Sequence, residues 1–219
     1  MGFVLYLALV GDKRPGAVKR ASTTVDATPV DATAVDATLT DAYGGYLEGC
    51  ARDYAARAGI SLPGKLAVSR PEPGGKPFFE NAQGVHFSIS HTGGLWGCAM
   101  GPAEVGFDVE WNRPRDYMGV ARRFFHPQER ENVEARGLSA FLQVWTAKES
   151  YVKYLGSGIT DDFSHFSVIP GLAGEAGELN AVFTCPAVGR DYTACLCTGE
   201  AAQVELIWIS KSKEKRLDL

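Results

Sequence analysis

Three acids in this chain stand where acids are costly. In "VGFDVEW" (105–111), Asp108 and Glu110 alternate with Phe107, Val109 and Trp111. A strand turns successive side chains to opposite faces, so the two carboxylates project together, about 7 Å apart, while the apolar residues share the other face. Like charges so close repel unless a proton or a cation stands between them. The third acid, Glu149, lies in "LSAFLQVWTAKESYVKYLGSG" (138–158), whose periodicity predicts a helix over 138–155. It falls in the same arc as Leu138, Phe141, Trp145 and Val152, the stripe such a helix buries. An unpaired carboxylate there costs several kcal/mol, so something positive must meet it. Lys148 and Lys153 flank the stripe on opposite sides, and Lys153, four residues on, is within ion-pair reach. If Glu149 meets Asp108 and Glu110, their oxygens and a few waters would make a hard octahedral Mg²⁺ site with positions open for phosphate. Mn²⁺ is the alternative occupant, and the lysines would serve the phosphates.

Two further stretches suit a phosphate-bearing ligand. "FSISHTGGLWG" (87–97) ends a strand with Ser90, His91 and Thr92 before two glycines, a turn where backbone N–H groups and a histidine approach an anion closely. "GGKPFF" (74–79) presents Lys76 on a Gly-Pro turn. "WNRPRDYMGVARRFF" (111–125) follows the acidic strand with Arg113, Arg115, Arg122 and Arg123, a landing surface for an acidic partner. In "HPQE" (126–129), Pro127 fits the first position of a helix and Glu129 the third, which makes Glu129 structural.

The 219 residues, 45% of them hydrophobic, can bury one good core or two small ones. A formal charge of −4 argues against general nucleic-acid binding. The five cysteines show no C-x-x-C spacing, and with no clustered histidines they favour reduced thiols in a cytoplasm over zinc or disulfides. Cys195 and Cys197, alternating in "YTACLCTG", read as two residues of one buried strand face. The apolar opening "MGFVLYLALV" reads as a first strand rather than a leader. No run reaches the roughly 18 apolar residues that span a bilayer, so no membrane role is expected.

These residues need elements to hold them. V-D-A-T occurs three times within 25–38, and a five-residue period matches neither a helix nor a strand, so about 16–42 reads as a low-complexity loop. From Tyr43 a helical pattern runs through Tyr46, Leu47, Cys50, Ala51, Tyr54 and Ala58 until Gly59. Strand signals follow at 66–70, 85–90, 95–100 and 105–111. The second half repeats the order: the helix over 138–155, then strand candidates "FSHFSVI" (163–169), "NAVFTC" (180–185), "DYTACLC" (191–197) and "QVELIWI" (203–209). Helix then strands, twice, predicts an α+β protein of two similar halves, 1–104 and 105–219, the second carrying the metal motifs. The charged tail "KSKEKRLDL" is expected to be solvated.

Together and in this order, "GKP" (75–77), "FSISHTG" (87–93), "VGFDVE" (105–110), "RRFFHPQE" (122–129) and "WTAKESYVKYLGSGI" (145–159) resemble the Sfp-type 4′-phosphopantetheinyl transferases. The resemblance implies a pseudo-dimeric α+β fold with coenzyme A in the cleft between the halves. It implies a holo-[acyl-carrier-protein] synthase type of transfer, of the phosphopantetheine arm to a serine of an apo acyl, peptidyl or polyketide carrier protein. By the same resemblance Asp108, Glu110 and Glu149 are Mg²⁺ ligands. Lys76, Ser90 and His91 contact coenzyme A, Lys148 and Lys153 lie beside the pyrophosphate, and Trp145 is structural. Glu149 or Lys153 is the base. The family's N-terminal 3′-phosphate ligands have no clear counterpart here, where Lys13, Arg14, Lys19 and Arg20 precede the repeats. An internally duplicated chain is expected to work as a monomer. A Mg²⁺-dependent phosphodiesterase and a non-catalytic carrier-binding module are the rival readings.

Overall fold

A computed structural model describes residues 2–10, 32–71, 75–157, 161–174 and 178–209. The opening apolar run forms strand β1 (Phe3–Leu9). Helix α1 (Ala32–Ala58) then begins well before Tyr43, so the third V-D-A-T repeat, 35–39, is helical rather than loop. No proline or glycine interrupts the chain from Asp31 to Tyr43, and Ala32, Ala34, Ala37 and Ala42 supply the best helix former, so the helix extends without needing an apolar face. The rest of the expected loop, 16–31, lies outside the described residues, as does the charged tail from 211. Gly59, at φ 69°, ends α1.

A two-rung ribbon joins β2 (Val68–Ser69) to β3 (Phe78–Phe79). Strands β4 (His86–Thr92) and β5 (Leu95–Gly101) form a hairpin whose two-residue turn, Gly93-Gly94, has positive φ at both positions. Such a turn matches the twist of the flanking strands and favours glycine. Next come β6 (Val105–Trp111), α2 (Tyr117–Phe124), α3 (Pro127–Arg136) and α4 (Leu138–Leu155). A 3₁₀ turn (Asp161–Ser164) and the short α5 (Ile169–Leu172) stand where "FSHFSVI" predicts a strand. The reason is long-range: the Phe166 carbonyl accepts from Lys148 and the Val168 N–H donates to Glu129, so side chains take the backbone groups a ladder would need. Strands β7 (Val182–Thr184), β8 (Tyr192–Thr198) and β9 (Val204–Ile209) complete the chain.

One sheet has the order β4-β5-β1-β9 and the other β6-β8-β7. The last strand therefore crosses the expected division after 104: β9 runs parallel to β1, from Phe3 opposite Val204 to Ala8 opposite Ile209. Strand alternation distributes three cores. Tyr6, Phe87, Trp96 and Met100 pack on Cys50 and Tyr54 of α1. Leu5, Leu7 and Leu95 face Phe107, Val109 and Leu196 across the gap between the sheets. On the outer side of the second sheet, Cys195 joins Phe125, Phe141 and Val144 beneath α4. The protein is thus α+β, with a helix backing each of two sheets that face one another. Cys195 and Cys197 are fully buried, as their alternation predicts.

Candidate active site

The two sheets meet along β4 and β6, which share no backbone ladder. Alternate N–H groups of β6 point at this seam, and a buried N–H left unpaired costs about 1–3 kcal/mol. Hydroxyls of β4 accept them instead: Phe107 N–H donates to Ser88 Oγ at 3.0 Å, Val109 to Ser90 Oγ at 3.4 Å and Trp111 to Thr92 Oγ1 at 3.3 Å. Sequence reasoning singled out Ser90 and missed the row. Its signal is there in "FSISHT": hydroxyl residues at every second position of a strand, alternating with Phe87, Ile89 and His91.

Ser90 also donates to Asp108 Oδ1 at 2.7 Å. The same oxygen accepts from Lys153 Nζ at 2.7 Å, and Lys153 Nζ reaches Ser90 Oγ at 3.3 Å. Asp108 is buried, and its Oδ2 has no partner. Gly106 is what lets α4 come this near. A Cβ there would stand 1.7 Å from the Ser150 carbonyl oxygen and 2.6 Å from the Tyr154 nitrogen, both backbone atoms that cannot swing away. Glu149, only 8% exposed, and Lys153 are thereby carried to Asp108.

Burial, with smaller contributions from Asp108 and Glu110, pushes the Glu149 carboxyl up to about 7 against the pull of Lys153. Burial and the Asp108 charge also raise Glu110, opposed by Arg115 and Lys153. Arg115 Nη2 donates to Glu110 Oε2 at 2.9 Å and to the Trp111 carbonyl at 3.0 Å. So the structure gathers Ser90, Asp108, Glu110, Glu149 and Lys153 as the sequence predicts, and adds Arg115. Among the described residues no three His, Cys, Asp or Glu side chains surround one point closely enough to hold a metal as they are placed. Three carboxylates against Lys153 and Arg115, with the buried Asp108 Oδ2 unpartnered, are a hard-oxygen donor set with negative charge to spare.

Other expected members lie elsewhere. Lys148 does not line this site: successive helical residues turn by about 100°, and its fully buried ammonium faces away from Glu149. It pairs with Glu129 at 2.8 Å, donates to the Phe166 carbonyl at 2.6 Å and sits 3.9 Å from the centre of the Phe166 ring. Glu129 is structural, as expected, closing a capping box with His126 ahead of Pro127, but its ion pair was not foreseen. Lys76 Nζ binds Glu104 and, at 2.8 Å, the Val105 carbonyl, while Glu104 also meets His86 at 2.8 Å. That is three residues along β6 from Asp108, roughly 10 Å. His91 is exposed on the face of β4 opposite to Ser90.

Arg115, engaged with Glu110, drops out of the expected landing surface. Arg113 is exposed over the Trp111 ring at 5.5 Å, and Arg122 and Arg123 are exposed on α2, Arg123 over Phe124 at 5.0 Å. Trp145 is structural, stacked on Phe141 at 5.9 Å and packed on Phe163 at 5.7 Å. Lys13, Arg14, Lys19 and Arg20 lie outside the described residues. Among the described residues no helix is long and apolar enough to cross a membrane.

Residues 104–197 match the sequence profile of the 4′-phosphopantetheinyl transferase superfamily. The chain is similar to a 4′-phosphopantetheinyl transferase of Bacillus subtilis, 34% identical over 98 residues, which cover 43% of each chain. It is similar to 4′-phosphopantetheinyl transferase psf-1 of Bacillus pumilus, 28% identical over 159 residues, 68% of each chain. With 4′-phosphopantetheinyl transferase gsp of Aneurinibacillus migulanus it shares 33% identity over 104 residues, 46% of this chain and 43% of that one. The chain thus spans less than half the length of the first and third of these relatives. The stretch matched by the superfamily profile holds the acidic strand and α4.

Proposed function

We propose that the chain is a 4′-phosphopantetheinyl transferase, on the strength of its similarity to that superfamily over residues 104–197, and that it moves the phosphopantetheine arm of coenzyme A onto a serine of an apo carrier protein. The reaction releases 3′,5′-ADP, as in a holo-[acyl-carrier-protein] synthase. The observation that carries this reading is the buried meeting of Asp108, Glu149 and Lys153 at the seam of the two sheets.

Asp108, Glu110 and Glu149 would hold Mg²⁺, or Mn²⁺ in its stead. Bound there, the cation spreads the pyrophosphate charge and stabilises charge developing around the attacked phosphorus. Glu149 is the base, directly or through a water, because α4 carries its carboxylate to the acids and Lys153 at the seam. It takes the proton of the carrier serine, whose oxygen attacks the β-phosphorus. Lys153 is the weaker candidate, because its Nζ already donates to Asp108 and Ser90. Its ammonium instead offsets charge on the pyrophosphate. Coenzyme A is contacted by Ser90 beside the acids, by Lys76 farther along β6 and by His91 from the exposed face of β4, and Lys148 is left out of the binding set. Arg113, Arg122 and Arg123 form the basic surface for an acidic acyl, peptidyl or polyketide carrier. Free cysteines among the described residues accord with work in the cytoplasm, and with the three acids and Lys153 on one chain the protein works as a monomer.

The test is intact-protein mass spectrometry of an apo carrier incubated with coenzyme A, Mg²⁺ and this protein, beside an Asp108→Ala control. The expected result is gain of one phosphopantetheine on the carrier, absent in the control. Free phosphopantetheine with an unmodified carrier would indicate the phosphodiesterase instead. No turnover of coenzyme A with any carrier type would point to a binding module.

A further inference from the structure

On the same face of the second sheet as the carboxylates, one strand over from β6, two nucleophilic side chains face each other, and one of them, Cys195, stands opposite Asp108 in the β6–β8 register. The Sγ atoms of Cys185 and Cys195 lie 3.4 Å apart, in thiol–thiol contact. Strands β7 and β8 run antiparallel with Thr184 opposite Leu196, so the next rung sets Cys185 opposite Cys195, and directly opposed residues share a face. Cys185 is exposed at the sheet edge, and Cys195 is fully buried behind it. The two differ in access. A thiol at the surface, which reacts as its thiolate, thus has a second thiol in reach.

We infer that Cys185 and Cys195 form a modification site, which a hydroperoxide closes into an intramolecular disulfide. The Cys185 thiolate attacks one peroxide oxygen, the O–O bond breaks, and the other oxygen leaves as water or alcohol, so Cys185 becomes a sulfenic acid. Cys195 Sγ then attacks that sulfur, the S–O bond breaks, and water leaves with the Cys195 proton. Two thiols supply the two electrons that the peroxide takes up. A small thiol reverses the bond by exchange. The pair serves to capture the sulfenic acid before a second peroxide drives it to the irreversible sulfinic acid. Contraction to a bonded distance of about 2 Å falls on β7, a three-residue edge strand, because β8 is laddered to β6 along seven residues. The strand bearing Asp108 stays in place.

The experiment treats the folded full-length protein with hydrogen peroxide, blocks remaining thiols, and maps peptides by mass spectrometry with and without dithiothreitol. The expected product has lost the mass of two hydrogen atoms, joins the Cys185 peptide to the Cys195 peptide, and returns to the starting mass on reduction. Cys185→Ser, a change at an exposed position whose folding is checked by its melting temperature, forms no such crosslink. Sulfinic acid on Cys185 with Cys195 still alkylated after unfolding would overturn the inference. So would a disulfide joining a different pair, or a Cys185 that peroxide leaves untouched.

Discussion

Glu149 combines burial with charge, and its energetics can be read in two ways. Its carboxyl is held up to about 7, by burial first and by Asp108 and Glu110 after that, against Lys153. Unfolded, it returns to about 4.3. Between those values the folded chain keeps a proton that the unfolded chain has lost, so stability falls as pH rises through the window and the penalty is complete above the folded value. Without divalent cations, melting temperature is therefore expected to be higher near pH 5 than near pH 8 through this group. Glu149→Gln should flatten that dependence, and a scan of both proteins across the range is the check. The same variant is expected to lose transferase turnover by two or more orders of magnitude while keeping its circular dichroism; retained turnover would remove Glu149 from the chemistry. Lys148, the next residue, behaves differently. Lys148→Ala leaves Glu129 buried and unpaired, which costs about 3–5 kcal/mol. Denaturant titration should show that loss, and any variant that stays folded should bind coenzyme A with an unchanged KM. A raised KM would return Lys148 to the binding set.

At the scale of elements, the site depends on how closely α4 lies on β6. Gly106 has no side chain because the Ser150 carbonyl occupies the space a Cβ would need. Gly106→Ala must push the helix off the strand, parting Glu149 and Lys153 from Asp108. Activity should fall below detection, with a drop in melting temperature larger than that of an ordinary surface substitution. Wild-type turnover in this variant would show that the approach is not required. The hydroxyl row of β4 works from the other side: Ser88, Ser90 and Thr92 satisfy the N–H groups of β6 that β8 leaves over. Much of this was legible in sequence. The bounds of β6 and α4, the alternation of Asp108 with Glu110 and the burial of Glu149 all follow from periodicity. The helix in place of loop at 35–39 and the helical turns in place of a strand at 163–169 do not. In the first case helix propensity acts where no helical period is written, and in the second Lys148 and Glu129, distant in sequence, take the backbone groups.

At the scale of the whole molecule, exposed basic side chains follow the acidic strand, Arg113 just after β6 and Arg122 and Arg123 on α2. Arg122→Glu combined with Arg123→Glu should raise KM for an acidic carrier about tenfold or more, with a strong salt dependence in the wild type and little change in KM for coenzyme A. Steady-state kinetics with each substrate varied in turn separates the two, and an unchanged carrier KM would remove α2 from the docking surface. Arg115→Glu is expected to act differently. It places a negative charge beside Glu110 and should lower turnover whatever the carrier.

Residue type and local spacing determined by themselves that this chain is α+β, that three acids and a lysine stand out from otherwise apolar faces, and which strand and helix carry them. These are short-range properties: a period of two or 3.6 is written into consecutive residues. Only the tertiary structure decided which cations meet which acids. Lys148 and Lys153 are alike on a helical wheel, yet one is sealed against Glu129 and the aromatic rings and the other reaches Asp108. Four arginines look equivalent in sequence, and one of them is bound to Glu110. Charge pairing depends on which elements the fold brings together, and β9 returning to β1 or Cys185 meeting Cys195 depends on the same long-range contacts. Local periodicity carries no record of them.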